Sequence, residues 1–123
     1  FGTMWDFPDD PDVQRLSAEI YDKGGVVSAV CHGPVALINV RLKDGSYLVK
    51  GKGIAAFCNE EEDAASVRDI VPYTVEDKLI ERGAKYTKAG VFQSHVVADG
   101  RLVTGQNPPS AKDTGEAIVK ALS

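Results

Sequence analysis

The chain predicts an α/β sandwich built on a mainly parallel sheet. Three observations carry that prediction. Short β-branched runs alternate with helical patterns along its 123 residues. Residues 26–30, Val26-Val27-Ser28-Ala29-Val30, are apolar on both faces apart from Ser28, as in a central parallel strand covered on each side. The same run ends in Cys31-His32-Gly33-Pro34, the outline of a nucleophile elbow that turns sharply from strand into helix.

The elements follow in order. Asp9-Asp10-Pro11 reads as a helix start, with Asp10 as N-cap and Pro11 at the first helical position. Val13, Leu16 and Ile20 recur at helical spacing until Gly24-Gly25 stops the pattern. After strand 26–30, residues 34–42 are expected to form the elbow helix, stopped by Lys43-Asp44-Gly45. Residues 53–58 read as a second buried strand that runs into the acidic Asn59-Glu60-Glu61-Glu62-Asp63. Thr74-Val75-Glu76-Asp77 has the form of a capping box, with Asp in the usual Glu position. It opens a helix through Leu79 and Ile80 that closes at Gly83. Residues 95–98 and 101–104 flank Asp99-Gly100, a hairpin with a two-residue loop. Gln106-Asn107-Pro108-Pro109 is a loop, and Ser110 is expected to cap a last helix bearing Ala117, Ile118, Ala121 and Leu122.

The candidate parallel strands are residues 26–30, 53–57 and 101–104, and the first should be central. A central strand needs a neighbour on each side, and these three do not supply both. An open parallel edge is an aggregation liability. The sheet is therefore expected to be incomplete in this chain. Its complement would be another copy in a homo-oligomer or a missing N-terminal part.

Composition narrows the class. Hydrophobic content of 43% and charged content of 26% suit one packed soluble domain spanning residues 1–123. A net charge of −4 gives no electrostatic case for nucleic acid or an anionic membrane surface. No apolar run approaches a membrane span, and no secretory signal is visible. The two cysteines, Cys31 and Cys58, read as free thiols in a reducing, cytoplasmic setting. The chain opens at Phe1 without an initiator methionine, as expected of a cut precursor or a partial reading frame.

Cys31 is the first chemical candidate. A buried structural cysteine is the ordinary alternative, since free Cys is among the most buried residue types. The small residues Ala29 and Gly33 on either side, with Pro34 opening a helix, favour a nucleophile. At a helix N-terminus a thiol is expected to have a depressed pKa, and adjacent N–H groups can bind an oxyanion. His32 could lie over the thiolate as acid–base partner or merely fill the turn. One of Glu60, Glu61 and Glu62 could orient His32 from the carboxyl end of the second strand. At least two of the three must then be solvated or structural. Cys58 reads as a core or near-site thiol, and His95 as either site-lining or structural. Trp5 and Phe7 could line a pocket or pin the first loop. The His and Cys residues lack zinc-ligand spacing, and no phosphate-loop pattern occurs, so neither a metal nor a cofactor is expected.

Four segments resemble one family. They are Gly2-Thr3-Met4-Trp5-Asp6-Phe7-Pro8-Asp9, the elbow Ala29-Val30-Cys31-His32-Gly33-Pro34, the stretch from Val71-Pro72-Tyr73 through Glu76-Asp77 to Gly83-Ala84-Lys85-Tyr86, and Asp99-Gly100-Arg101-Leu102-Val103-Thr104-Gly105-Gln106-Asn107-Pro108. Together they resemble the ThiJ/PfpI superfamily, relatives of the class I glutamine amidotransferases. The Gly-Thr-Met-Trp-Asp loop is most similar to the branch of heat-shock chaperone-like proteins with glutathione-independent glyoxalase (glyoxalase III) activity.

The resemblance implies a flavodoxin-like three-layer sandwich. It also implies Cys31 as nucleophile, His32 as partner, Glu62 as the acid, and the backbone N–H groups of Gly2 and His32 as oxyanion hole. Two departures stand out. Phe1 occupies the place of a family histidine, and the early strand–helix units, one bearing a glutamate that bonds the cysteine, are absent. The chain is thus expected to be the C-terminal part of such a domain.

The leading expectation is a cofactor-independent cysteine enzyme converting a small carbonyl such as methylglyoxal to lactate. Cys31 would form a hemithioacetal, His32 would move a proton between the substrate carbons, and water would cleave the resulting thioester. The alternatives are a PfpI-type intracellular peptidase or amidase acting on peptides, and a non-catalytic stress chaperone or redox sensor.

Overall fold

The computed structural model describes residues 1–123. Helix α1 (Pro11–Asp22) begins where Asp10 accepts hydrogen bonds from the Asp12 and Val13 amides, at 2.8 and 3.1 Å. It ends before Gly24, whose φ of +91° suits only glycine without strain. Strand β1 (Val27–Val30) leads to Cys31. Next come β2 (Gly53–Ile54), α2 (Asn59–Ala64), α3 (Val75–Glu81) and β3 (Lys85–Tyr86). The chain finishes with β4 (Val96–Asp99), β5 (Leu102–Gly105) and α4 (Ala111–Leu122).

The strands form two groups. One sheet has the order β1-β5-β4, with β1 and β5 parallel and β4 antiparallel to β5. The other is the parallel pair β2-β3. Strand β1 therefore lies at an edge of its sheet, where a central place was expected. Ser28, Ala29 and Val30 are only half-buried there.

Four further sequence expectations are corrected. Residues 34–42 are not an α-helix but a tight 3-10 turn, Gly33–Leu37, followed by irregular chain and the Arg41–Tyr47 bridge. Val35, Ala36, Leu37, Ile38 and Val40 are all buried, so this segment lacks the exposed face of an amphipathic helix. Strand 53–58 keeps its ladder only to Ile54. Beyond it the Ala55 amide bonds the Thr104 hydroxyl and the Phe57 amide bonds the Cys31 carbonyl, both at 2.9 Å. The hairpin loop is Gly100-Arg101, one residue later than Asp99-Gly100, because Asp99 pairs with Leu102. Gly100, at φ +59°, is the first loop residue, where a II′ turn takes glycine. Ser110 stands at the N-cap of α4 without capping it. Its hydroxyl donates to Asn107 Oδ1 and accepts from the His95 amide.

Only half of the Thr74–Asp77 capping box forms: the Thr74 hydroxyl accepts from the Asp77 amide at 3.3 Å, while the Asp77 carboxylate accepts from Asn59 Nδ2 instead of the Thr74 amide. The core gathers on the side of the elbow turn and α3, around Ile38, Leu48, Ile54, Leu79 and Leu102, all fully buried. Each such side chain contributes roughly 1.5–3 kcal/mol relative to exposure. Helices α1 and α4 add no buried apolar side chain, and Leu16, Ile20, Val119 and Leu122 are exposed. No helix is long and apolar enough to cross a membrane.

Candidate active site

The elbow is built by backbone bonds on both sides of Cys31. Its amide donates to the Gly105 carbonyl at 2.9 Å, prolonging the β1–β5 ladder by one step. Its carbonyl then accepts from the Phe57 amide. Between those bonds Cys31 adopts φ +65°, a left-handed conformation that L-residues avoid. Such strain persists where surrounding structure holds it, and it clusters at functional sites. A Cβ on Gly33 would meet the Ala29 Cβ at 3.4 Å, an ordinary contact between the two arms of the turn.

The turn brings three side chains into line. Cys31 Sγ lies 3.5 Å from His32 Nδ1, and His32 Nε2 lies 2.7 Å from Glu62 Oε1. His32 is 5% exposed and Glu62 fully buried. With Glu62 as a carboxylate acceptor, Nε2 carries the proton and Nδ1 presents its lone pair to the thiol. The Phe57 ring packs against the imidazole, with centroids 4.3 Å apart. Glu62 Oε2 is buried with no hydrogen-bond partner.

The thiol is not depressed in the way a helix N-terminus suggests. Burial pushes its pKa up, the His32 backbone N–H pulls it down, and the nearby Glu61 and Glu62 carboxylates push it up again. The upward causes win. The segment after Cys31 is a short 3-10 turn with little aligned dipole to oppose them. The raised pKa favours the thiol over the thiolate.

The three successive glutamates diverge. Glu62 faces His32. Glu60 is exposed and pairs with Lys88 at 2.9 Å, which holds its carboxyl below the ordinary value. Glu61 is fully buried and accepts four N–H bonds, from the Cys58 and Phe92 amides and the Gln106 and Asn107 side chains. No sequence pattern places Phe57, Phe92, Gln106 and Asn107 at the site. Gln106 and Asn107 read as loop, yet both are fully buried.

Cys58 is a buried structural thiol at the N-cap of α2, and burial raises its pKa to about 11. The Cys58, Glu60 and Glu76 ligand atoms lie within 4.8 Å of one another. Lys88 already binds both carboxylates, at 2.9 and 3.2 Å, and supplies the countercharge a metal would bring. His95 bonds Thr87 through Nε2 at 2.9 Å. The Gly2–Met4 turn packs against Gly33–Leu37, with Phe1 6.1 Å from the His32 ring. Met4, rather than the exposed Trp5 or Phe7, anchors that loop.

This elbow has recognisable relatives. A family model described as the DJ-1/PfpI family matches residues 3–121. The chain belongs to that family. Among DJ-1/PfpI-related proteins, Glyoxalase 3 of Candida albicans is 42% identical over 98% of this chain and 54% of its own length. The glutathione-independent glyoxalase HSP31 of Saccharomyces cerevisiae is 41% identical over the same shares. The X-ray structure of a Rapid Encystment Protein of 24 kDa from Francisella tularensis superposes with a TM-score of 0.96 at 43% identity, covering 99% of this chain and 54% of that one. The chain thus spans about half the length of the relatives it matches, and over that half it shares their α/β fold.

Proposed function

We propose that this chain carries the nucleophile of a cofactor-independent cysteine enzyme of the glyoxalase III type, converting methylglyoxal to lactate. The supporting observation is the line from Cys31 through His32 to Glu62, with Nδ1 at 3.5 Å from the thiol. The names of the 41–42% identical relatives point to the same chemistry.

The residues divide the work as follows. Cys31 sulfur bonds to the aldehyde carbon while its proton passes through His32 Nδ1 to the carbonyl oxygen, which becomes a hydroxyl. The backbone N–H groups of Gly2 and His32 would hold that oxygen as it gains charge. His32 then takes the proton from the carbon bearing sulfur and returns it to the neighbouring carbon, while the hydroxyl proton passes to the neighbouring carbonyl oxygen. The product is a thioester beside a new hydroxyl. Water cleaves the C–S bond, releasing lactate and the thiol. Methylglyoxal and water sum to lactate, so no redox partner is consumed. Glu62 keeps the imidazole oriented and balances its charge whenever both nitrogens are protonated.

The same reading treats the chain as the C-terminal part of one α/β domain. The unpartnered side of β1 supports this, as does the share of its relatives' length that the chain spans. The complement would be a preceding segment or another copy, and the free thiols suit a reducing cytoplasm. Lactate formation from methylglyoxal without glutathione, by the protein that carries this chain, is the test. It should vanish in Cys31→Ala, and turnover that survives the substitution would overturn the proposal.

A further inference from the structure

Glu61 is the most heavily bonded side chain near the site, and the chemistry above leaves it unused. Its Oε1 accepts from the Cys58 amide at 3.0 Å and from Gln106 Nε2 at 3.0 Å. Its Oε2 accepts from the Phe92 amide at 2.8 Å and from Asn107 Nδ2 at 2.7 Å. No cation pairs with it. A fully buried carboxylate is costly unless hydrogen bonds replace its hydration. Burial pushes its pKa up, but the four donors outweigh burial and hold it below the ordinary value.

The donors come from three separate segments. Cys58 opens α2, the helix that carries Glu62. Gln106 and Asn107 follow β5, the strand that pairs with β1 up to the elbow. Phe92 sits at φ +53° with its ring 6.0 Å from Phe57, which in turn packs on His32. One carboxylate thus ties the helix behind Glu62, the end of the strand beside the elbow and the turn against Phe57.

We propose that Glu61 is a positioning residue, whose clamp on these segments sets the orientation of Glu62 toward His32. This rests on the reading of Cys31, His32 and Glu62 as the reacting line. A bond as short as 2.7 Å tolerates little displacement of α2, and a misplacement of order 1 Å costs up to about 10²-fold in rate.

The test follows the His32 Nε2–H proton by NMR in ¹⁵N-histidine-labelled protein, a readout independent of substrate. Glu61→Gln keeps the shape but turns one acceptor into a donor that faces two N–H groups. The His32 N–H signal should broaden or vanish, and methylglyoxal kcat should fall about 10- to 100-fold with KM less affected. Glu60→Gln should leave the signal sharp. A purely electrostatic role would move the pH midpoint of Cys31 alkylation downward, because one raising charge is gone, and would leave the His32 signal intact. That result overturns the proposal. If Glu61→Gln does not fold, Asn107→Ala decides: it removes one Glu61 donor, along with the Asn107 bonds to the Gln93 carbonyl and the Ser110 hydroxyl, and keeps the charge, so a weakened His32 signal supports the clamp and an unchanged one refutes it. A preparation without glyoxalase activity still reports on the His32 proton, so failure of the clamp and failure of the functional reading remain distinct.

Discussion

His32 Nε2 and Glu62 Oε1 stand 2.7 Å apart inside the protein, while the second Glu62 oxygen has no partner at all. The pair is therefore asymmetric. One oxygen orients the imidazole, and the other is a buried acceptor that no protein group donates to. Glutamine at this position can turn its amide oxygen toward Nε2–H and its NH₂ toward the unpartnered side. Glu62→Gln should then stay folded and melt near the wild-type temperature, because loss of a buried acid group is offset by an NH₂ left without an acceptor. Its methylglyoxal turnover should fall about 10²–10⁴-fold, the range for loss of effective acid–base function. Thermal melting beside steady-state kinetics checks this. A fall in stability that matches the fall in activity would contradict the asymmetry.

The neighbouring glutamate provides the opposite expectation. Glu60 is 54% exposed at its side chain, which hydrogen-bonds only Lys88. Exposed pairs contribute about 0.2–1 kcal/mol. Glu60→Gln should therefore change unfolding free energy by less than about 1 kcal/mol and leave turnover at the wild-type level. Denaturant titration and kinetics on the same preparation measure both. Loss of turnover in this variant would mean that the acid has been assigned to the wrong glutamate.

The contrast among these glutamates shows what a sequence makes legible. Local chemistry was readable: Asp10 with Pro11, Thr74 with Asp77, and the small residues around Cys31 act within a few positions of themselves. Family motifs single out Glu62, whose Oε1 lies 2.7 Å from His32 Nε2. The role of Glu61 was not readable, because Phe92, Gln106 and Asn107 reach it from 31, 45 and 46 positions away. Residues 34–42 looked helical because an apolar run buried on every side carries no period to separate turn from helix. The hairpin slipped by one residue for a similar reason. Asp99 is kept in the strand, where its carboxylate accepts the Gly53 amide at 2.7 Å, a contact 46 positions distant.

Backbone strain at the elbow yields a stability prediction of its own. Cys31 is held at φ +65°, and alanine there would inherit the strain. Glycine would not. The left-handed penalty is roughly 1–2 kcal/mol, against which glycine loses about 0.5–1 kcal/mol more chain entropy on folding. Cys31→Gly should thus be more stable than Cys31→Ala by about 0.5–1 kcal/mol, although both lack the thiol and both should be inactive. Paired chemical denaturation curves resolve the difference. Equal stabilities would mean that the turn relaxes once the sulfur is gone.

The second cysteine predicts a loss of stability in alkali. Burial raises the Cys58 pKa from 9.0 to about 11 in the folded chain, whereas unfolding returns it to the ordinary value. A group whose folded pKa is raised stabilises the fold below its unfolded pKa and loses that contribution as pH climbs toward the folded one. The sensitive window is therefore pH 9 to about 11. A two-unit shift corresponds to about 3 kcal/mol at most. Cys58→Ser is the natural comparison, because a serine hydroxyl does not titrate there and is a favoured N-cap for α2. Both proteins contain Cys31, Tyr73 and Tyr86, whose pKa values are also raised, so the difference between them isolates Cys58. Stability measured from pH 7 to 11 should show the wild type falling more steeply than Cys58→Ser above pH 9. Parallel curves would show that the Cys58 thiol reaches solvent in the folded state, and that the cap it forms beside Glu61 opens far more readily than its burial implies.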